Sequence, residues 1–233
     1  MDDAKRKAAE KAVDMVEDNT VIGVGSGSTV AYFIDELARS GKKVSAVPTS
    51  MDTVIRLASR KIPITTLFHV DHLDLCFDGA DQVDPSFNLI KGGGGALTME
   101  KIVSYFSDRS VIIVDSSKMT AKLGYKCPVP LEIVPSSFPA VRRAVREKVG
   151  AIVELRSSGA KLPPTITDNG LALADAWFEN GISSPAESER KLKLIPGVLE
   201  NGLFCDLRDV SVIVSDGGGV EVLTKPAQER NKF

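Results

Sequence analysis

Two carboxylates three residues apart, a lysine, four consecutive glycines and a third carboxylate fall within 23 residues: Asp78-Gly79-Ala80-Asp81, Lys91-Gly92-Gly93-Gly94-Gly95 and Glu100. Such a set can supply a general base and a group that holds an oxyanion or a phosphate. The small spacers Gly79 and Ala80 let both aspartates face one cavity from a turn, although either aspartate could equally cap that turn. Lys91 suits a phosphate or a developing oxyanion; it also fits a solvated lysine before a loop. Four ordered glycines carry a large entropic cost, which argues against an idle loop. Glu100 sits in a helical pattern marked by Met99, Ile102, Val103 and Phe106. It shares a side with Ala96, Leu97 and Val103, and apolar surroundings raise a carboxyl pKa towards the range of a general base. Taken alone, an acid favoured by the helix dipole is the simpler reading. Beside Lys91 and the aspartate pair, the base is the better one.

A second motif, Gly25-Ser26-Gly27-Ser28-Thr29, combines small residues and hydroxyls between a strand and a helix, where backbone N–H groups can hold an anion. The other reading is a tight capped turn. It is not a dinucleotide fingerprint, because Ser28 and Val30 occupy the possible third-glycine positions, and no Gly-Lys-Ser/Thr makes it a P-loop. Lys118, after a strand and two serines, could reach the same edge as Lys91 or lie on the surface. His69 and His72 have a spacing open to a metal, but no further ligand cluster accompanies them, so no metal is expected. Cys76 reads as packing, Trp177 and the phenylalanines as core or interface, and residues 216–219 as a turn.

These groups must be carried by elements. Periodicity predicts helices over residues 4–18, 30–40 and 51–60 and strands over 21–24, 44–47, 64–67, 73–77 and 111–114. Thr49 or Ser50 suits an N-cap, and Gly41 a helix stop. Short apolar strands alternating with helices imply an α/β, Rossmann-like, mainly parallel sheet with helices on both faces. In such sheets ligands bind beyond the carboxyl ends of the strands. Residues 26–29, 49–50, 78–81 and 115–118 all follow strand ends, so they should meet on one edge.

Around Cys127-Pro128-Val129-Pro130 the pattern changes. The chain beyond these prolines reads as strand 131–134, helix 138–149, strands 152–155 and 171–174, helix 185–194 and strand 198–204, the ferredoxin-like order. Asp168-Asn169-Gly170 supplies a turn. Residues 210–214 read as a strand returning to the first sheet. The expected organisation is a larger domain, 1–127 and 207–233, with a smaller α+β domain, 128–206, inserted in it.

The chain has 233 residues, 43% hydrophobic, with 29 basic and 31 acidic side chains and a net charge of -2. That balance predicts no nucleic-acid partner and no polybasic membrane patch. Three scattered cysteines suggest neither a disulfide framework nor a zinc cluster, and reduced thiols in a cytoplasmic protein are the default. The N-terminal stretch lacks the apolar segment of a signal peptide, and no run is long enough to span a bilayer.

Taken together, the chain resembles ribose-5-phosphate isomerase, type A. The resemblance rests on Gly25-Ser26-Gly27-Ser28-Thr29, Asp78-Gly79-Ala80-Asp81, Lys91-Gly92-Gly93-Gly94 and Leu97-Thr98-Met99-Glu100-Lys101-Ile102. Asp115-Ser116-Ser117-Lys118, Thr167-Asp168-Asn169-Gly170 and Ile195-Pro196-Gly197-Val198 extend it over nearly the whole chain. It implies interconversion of ribose 5-phosphate and ribulose 5-phosphate in the pentose phosphate pathway, without metal or other cofactor. It also implies a small-molecule sugar phosphate as partner and a homodimer or homotetramer. On that resemblance Glu100 is the base between C1 and C2. Asp78, Asp81 and Lys91 line the substrate and serve ring opening and enediolate stabilisation. Ser26, Gly27, Ser28, Thr29, Gly79, Ala80, Gly92, Gly93, Gly94 and Lys118 are substrate contacts. Gln82 and Gly95 depart from the family pattern and bear on loop shape. The competing readings are a non-catalytic sugar-phosphate sensor and, disfavoured by the failed fingerprint, a nicotinamide-dependent oxidoreductase.

Overall fold

The computed structural model describes residues 2–157, 163–216 and 218–225. The first half runs α1 (Asp2–Asp14), β1 (Thr20–Val24), α2 (Ser28–Ser40), β2 (Val44–Pro48), α3 (Met51–Ser59) and β3 (Leu73–Asp78). Two short strands come next, β4 (Gln82–Val83) and β5 (Leu89–Ile90), then α4 (Leu97–Tyr105) and β6 (Ser107–Asp115). The second half contains β7 (Val129–Ile133), α5 (Phe138–Val149), β8 (Ile152–Leu155), β9 (Ala172–Trp177), α6 (Pro185–Lys193) and β10 (Val198–Asn201). It ends with β11 (Leu203–Phe204), β12 (Val210–Ser215) and β13 (Val220–Thr224).

The main sheet has the order β13-β12-β6-β3-β1-β2, parallel except for the β12–β13 hairpin. Alternation along β6 explains why it is covered on both faces. Val111 and Ile113 join the core under α1 and α2, with Phe33 stacked on Phe77 at 4.4 Å. Ile112 and Val114 turn the other way, towards Val83, Leu89 and Phe204. On that second face Val103 of α4 packs on Leu73 and Cys76. The chain leaves β1 for β2 on one side and comes back to β3 on the other. This reversal opens a crevice at the carboxyl ends of β1 and β3.

A separate antiparallel sheet, β10-β7-β9-β8, with α5 and α6, has the ferredoxin-like arrangement and its own core around Leu131, Val141, Val145 and Leu192. Between the two sheets lies a third, β11-β5-β4.

Three expectations are corrected. Residues 64–67 form no strand: only Ile64 bridges Ala46, after which the chain turns with Phe68 fully out in solvent. β2 is therefore the sheet edge, and the two apolar residues of that run, Ile64 and Leu67, were too few to make another strand. The expected strand 198–204 is two strands. Gly202 donates to Pro130 O while the chain steps from β7 to β5, dividing the run between two sheets. The first helix ends at Asp14, short of residue 18, because Met15 and Val16 bond three residues back and tighten its last turn. Of the two readings of Trp177, core or interface, the first is excluded, since the residue ends β9 and is 40% exposed. The 216–219 turn joins β12 and β13, with Asp216 accepting from Gly218 and Gly219; Gly217 lies outside the described residues.

Candidate active site

Asp78 is the last residue of β3 and is fully buried at the crevice. Its Oδ1 accepts the N–H groups of Gly79 at 2.7 Å and Ser26 at 3.2 Å. Only glycine fits beside it at the end of β1, since a Cβ on Gly25 would lie 1.9 Å from the carboxyl. Lys91 directly follows β5 and is 2% exposed. The three-stranded sheet positions it: its N–H donates to Gly202 O at 2.9 Å, and Asp81 N–H donates to Ile90 O at 2.8 Å. The ammonium donates to Gly79 O at 2.6 Å and lies 2.8 Å from Asp78 Oδ2 and 3.2 Å from Glu100 Oε2. The Phe204 ring shields it at 5.4 Å.

Glu100 comes from the start of α4, on its buried side, and is 4% exposed. Its pKa is raised from 4.5 to about 7. Burial is the main cause, the Asp78 charge adds to it, and Lys91 pulls the other way. Burial opposes the Lys91 charge, but Asp78 and Glu100 outweigh it and hold the ammonium above its ordinary range. Asp78 Oδ2 and Glu100 Oε2 touch Lys91 as ion pairs without the angles of hydrogen bonds, and neither has another donor among the described residues. Two buried oxygens thus keep acceptor capacity, an expensive arrangement unless something else uses it. A carboxyl half ionised near neutral pH beside a fixed cation is suited to exchanging a proton with carbon.

Asp81 is less buried, and its Oδ2 accepts from Gly93 N–H at 2.8 Å. The glycine loop lets the chain approach this carboxylate: a Cβ on Gly93 would lie 2.7 Å from Asp81 Oδ1.

At the other end, α2 begins after Gly27, and among the described residues no side chain caps its N-terminus, leaving N–H groups for an anion. Ser28 is exposed and Thr29 half-buried. The Ser26 hydroxyl is already engaged, with Thr49 Oγ1 at 3.0 Å and Ser50 Oγ at 3.1 Å, so it ties β1 to β2. Ser50 in turn caps α3 through Thr53 N–H. Lys118 ends a single turn capped by Asp115. Burial pushes the Asp115 carboxyl up, but bonds from Ser117 and the charges of Lys118 and Lys5 bring it below its ordinary value.

Ser26, Gly27, Ser28, Thr29, Asp78, Gly79, Ala80, Asp81, Lys91, Gly92, Gly93, Gly94, Glu100 and Lys118 all line one cavity of about 130 Å³. His69 and His72 lie elsewhere, bonded to Thr66 and Asp108, and the described residues contain no cluster of three or more metal-ligating side chains. Gln82 acts on loop shape, bonding Tyr125 O and Gly124 N–H.

Two further residues carried no recognisable mark in the sequence. Lys5, on α1, donates to Ser28 Oγ at 2.9 Å, adding a cation to the anion turn. Nothing in a charged helix start distinguishes it. Glu132 is fully buried in β7 and accepts from the hydroxyls of Thr98 and Thr167 and from Asn169 Nδ2 at 3.1 Å. It ties the first turn of α4 to the 167–169 turn. A lone carboxylate in an apolar strand was the only available signal, since a buried charge requires partners.

The family model of ribose 5-phosphate isomerase A (phosphoriboisomerase A) matches residues 45–218. A ribose-5-phosphate isomerase A of Pyrococcus horikoshii is 42% identical over 230 residues, covering 97% of this chain and 99% of that one. One from Thermococcus kodakarensis is 40% identical, covering 94% and 96%. The solved ribose 5-phosphate isomerase A of Methanocaldococcus jannaschii superposes with a TM-score of 0.90 at 40% identity, covering 96% of this chain and 99% of that chain. A D-ribose-5-phosphate isomerase solved in complex with phospho-erythronic acid also gives 0.90, at 42% identity and coverage of 95% and 97%.

Proposed function

Since the chain belongs to the ribose 5-phosphate isomerase A family and interconverts D-ribose 5-phosphate and D-ribulose 5-phosphate, we propose that Glu100 is the base of that reaction. The observation that carries this is the buried Glu100 carboxyl, raised to about 7, set 3.2 Å from the Lys91 ammonium. In the open-chain aldose, Glu100 takes the proton from C2. The bonding pair becomes the C1–C2 double bond, and the aldehyde oxygen takes up the charge as an enediolate. The same carboxyl then protonates C1, while the C2 hydroxyl proton passes to the charged C1 oxygen, which becomes the ketose hydroxyl as the C2 carbonyl forms. Lys91 and the glycine-loop N–H groups hold the charged oxygen. Asp81, the more accessible carboxylate, moves protons in ring opening, and Asp78 holds Lys91 in place.

The phosphate sits on the first turn of α2, near Lys5 and Lys118, so that binding at the remote end positions C1 and C2. Phospho-erythronic acid, bound by a solved relative, is expected to bind here too, because its planar carboxylate mimics the planar enediolate. The sensor reading finds no support, since the relatives carry the isomerase name.

Residues 128–206 are further proposed as a small domain inserted in 1–127 and 207–233, supported by its own sheet and core. A homodimer or homotetramer in the cytoplasm, acting in the non-oxidative pentose phosphate branch, completes the reading. Among the described residues no helix is long and apolar enough to cross a membrane. Light scattering measures the oligomeric state.

The deciding experiment is the kinetics of Glu100→Gln on ribose 5-phosphate. The expected loss is about 10²–10⁴ in kcat with the circular dichroism spectrum unchanged. A kcat close to the parent's removes Glu100 from the base role.

A further inference from the structure

Arg156 follows β8 in the smaller sheet, yet its guanidinium reaches the glycine loop. Asp175 on β9 grips one edge: Arg156 Nε donates to Asp175 Oδ2 at 2.8 Å and Nη2 to Oδ1. From the other edge Nη1 donates to Gly93 O at 2.8 Å and Gly92 O at 3.2 Å. The pair is well buried, with side chains 18% and 14% exposed. A planar fork can hold a carboxylate and two carbonyls at once, which a lysine cannot.

A trans peptide points its C=O and the following N–H in opposite directions. With the Gly92 and Gly93 carbonyls turned to Arg156, the N–H groups of Gly93 and Gly94 must face away from it. The first finds Asp81 Oδ2, a wall of the cavity. The second has no acceptor among the described residues, and Gly94 lines the same cavity with open space where a Cβ would stand. Glycine peptides flip readily because either sign of φ is open to them. A flipped Gly93–Gly94 peptide would aim a carbonyl dipole at the developing negative charge.

We propose that Arg156 is a positioning residue that sets the polarity of the glycine loop, so that the Gly94 N–H is presented to the enediolate oxygen. This rests on the assignment of an enediolate intermediate to this cavity. Asp175 holds the guanidinium in register and balances its charge, so the smaller unit contributes to catalysis without touching substrate.

The test compares Arg156→Met, which keeps the apolar stem, with Arg156→Lys. The readouts are kcat, KM and the affinities for phospho-erythronic acid and inorganic phosphate. Removing an oxyanion donor outright costs about 10²–10³, and a loop free to flip is expected to lose about 10–100-fold in kcat. KM and phosphate affinity should stay near the parent values, while phospho-erythronic acid binding weakens in step with kcat. Arg156→Lys should recover part of the loss. A parent-like kcat overturns the proposal. So does an equal weakening of both ligands, which would mean that Arg156 only maintains the shape of the site. If Arg156→Met fails to fold, the same split is read from Arg156→Lys. A parent enzyme that turns over, with Glu100→Gln inactive, keeps the main reading intact whatever the Arg156 variants do.

Discussion

The cavity has two unlike ends. At one end Asp78, Lys91 and Glu100 are each at most 4% exposed, and their charges answer one another within 3.2 Å. At the other, an uncapped helix N-terminus, an exposed Ser28 and the Lys5 and Lys118 side chains present donors to solvent. The first end is built by folding, its charges taken from water before any ligand arrives. The second is left unfinished for an anion to complete. Electrostatic preorganisation matters where charge develops during reaction, whereas an anchor for a constant phosphate charge needs only affinity. Substitutions should therefore separate the two ends: the buried one governs stability and kcat, the open one KM.

The largest contrast is expected at Lys91. Lys91→Met leaves two carboxyls buried without their cation, and breaking such a pair costs about 3–5 kcal/mol. Denaturant unfolding at pH 8 should show the full loss together with loss of turnover. At pH 5 the stability loss should shrink, as Glu100 takes a proton. An Lys91→Met protein as stable as its parent at pH 8 would erase the distinction between the ends.

The next effect is on pH. Glu100 must be ionised to act, so kcat/KM should rise with pH up to a midpoint near 7 and then level off. Stability moves the opposite way. The folded state holds this proton to about pH 7 and the unfolded chain releases it near 4.5, so the folded state binds more protons in between. The stability contributed by neutral Glu100 is whole below pH 4.5 and is lost as pH rises through 7. Glu100→Gln, permanently neutral, should gain Tm over the parent at pH 8 and show little difference at pH 4.5. A Tm difference independent of pH would mean that the carboxyl is not strained by burial.

The smallest effect belongs to the open end. Lys5→Ala removes a screened surface cation whose contacts are worth about 0.2–1 kcal/mol. KM should rise a few-fold, most at low salt, with kcat and Tm unchanged. A drop in kcat without a change in KM would show that this end does more than anchor.

Much of the site was legible before folding because it sits where local rules operate. Strand periodicity followed by small or acidic residues marks a carboxyl edge, and 26–29, 78–81 and 118 all reached one cavity for that reason. The element pattern of the smaller sheet was equally readable, since each helix and strand carries its own periodicity. The three-stranded sheet that seats Lys91 was not, because its strands are two residues long and β11 joins β5 from a distant part of the chain. Lys5, Glu132 and Arg156 were hidden for the same reason: each reaches a site residue, Ser28, Thr98 or Gly93, that lies 23 or more residues away.

The sequence alone determined which chemical groups exist and which turns carry them, because propensity, periodicity and glycine spacing act over a few residues. Only the tertiary structure decided that Lys91 is dry, that Glu100 keeps its proton to about pH 7, and that the smaller unit's Arg156 reaches the glycine loop. Those properties depend on desolvation and on charges brought together across the chain, and neither exists until the sheets have packed.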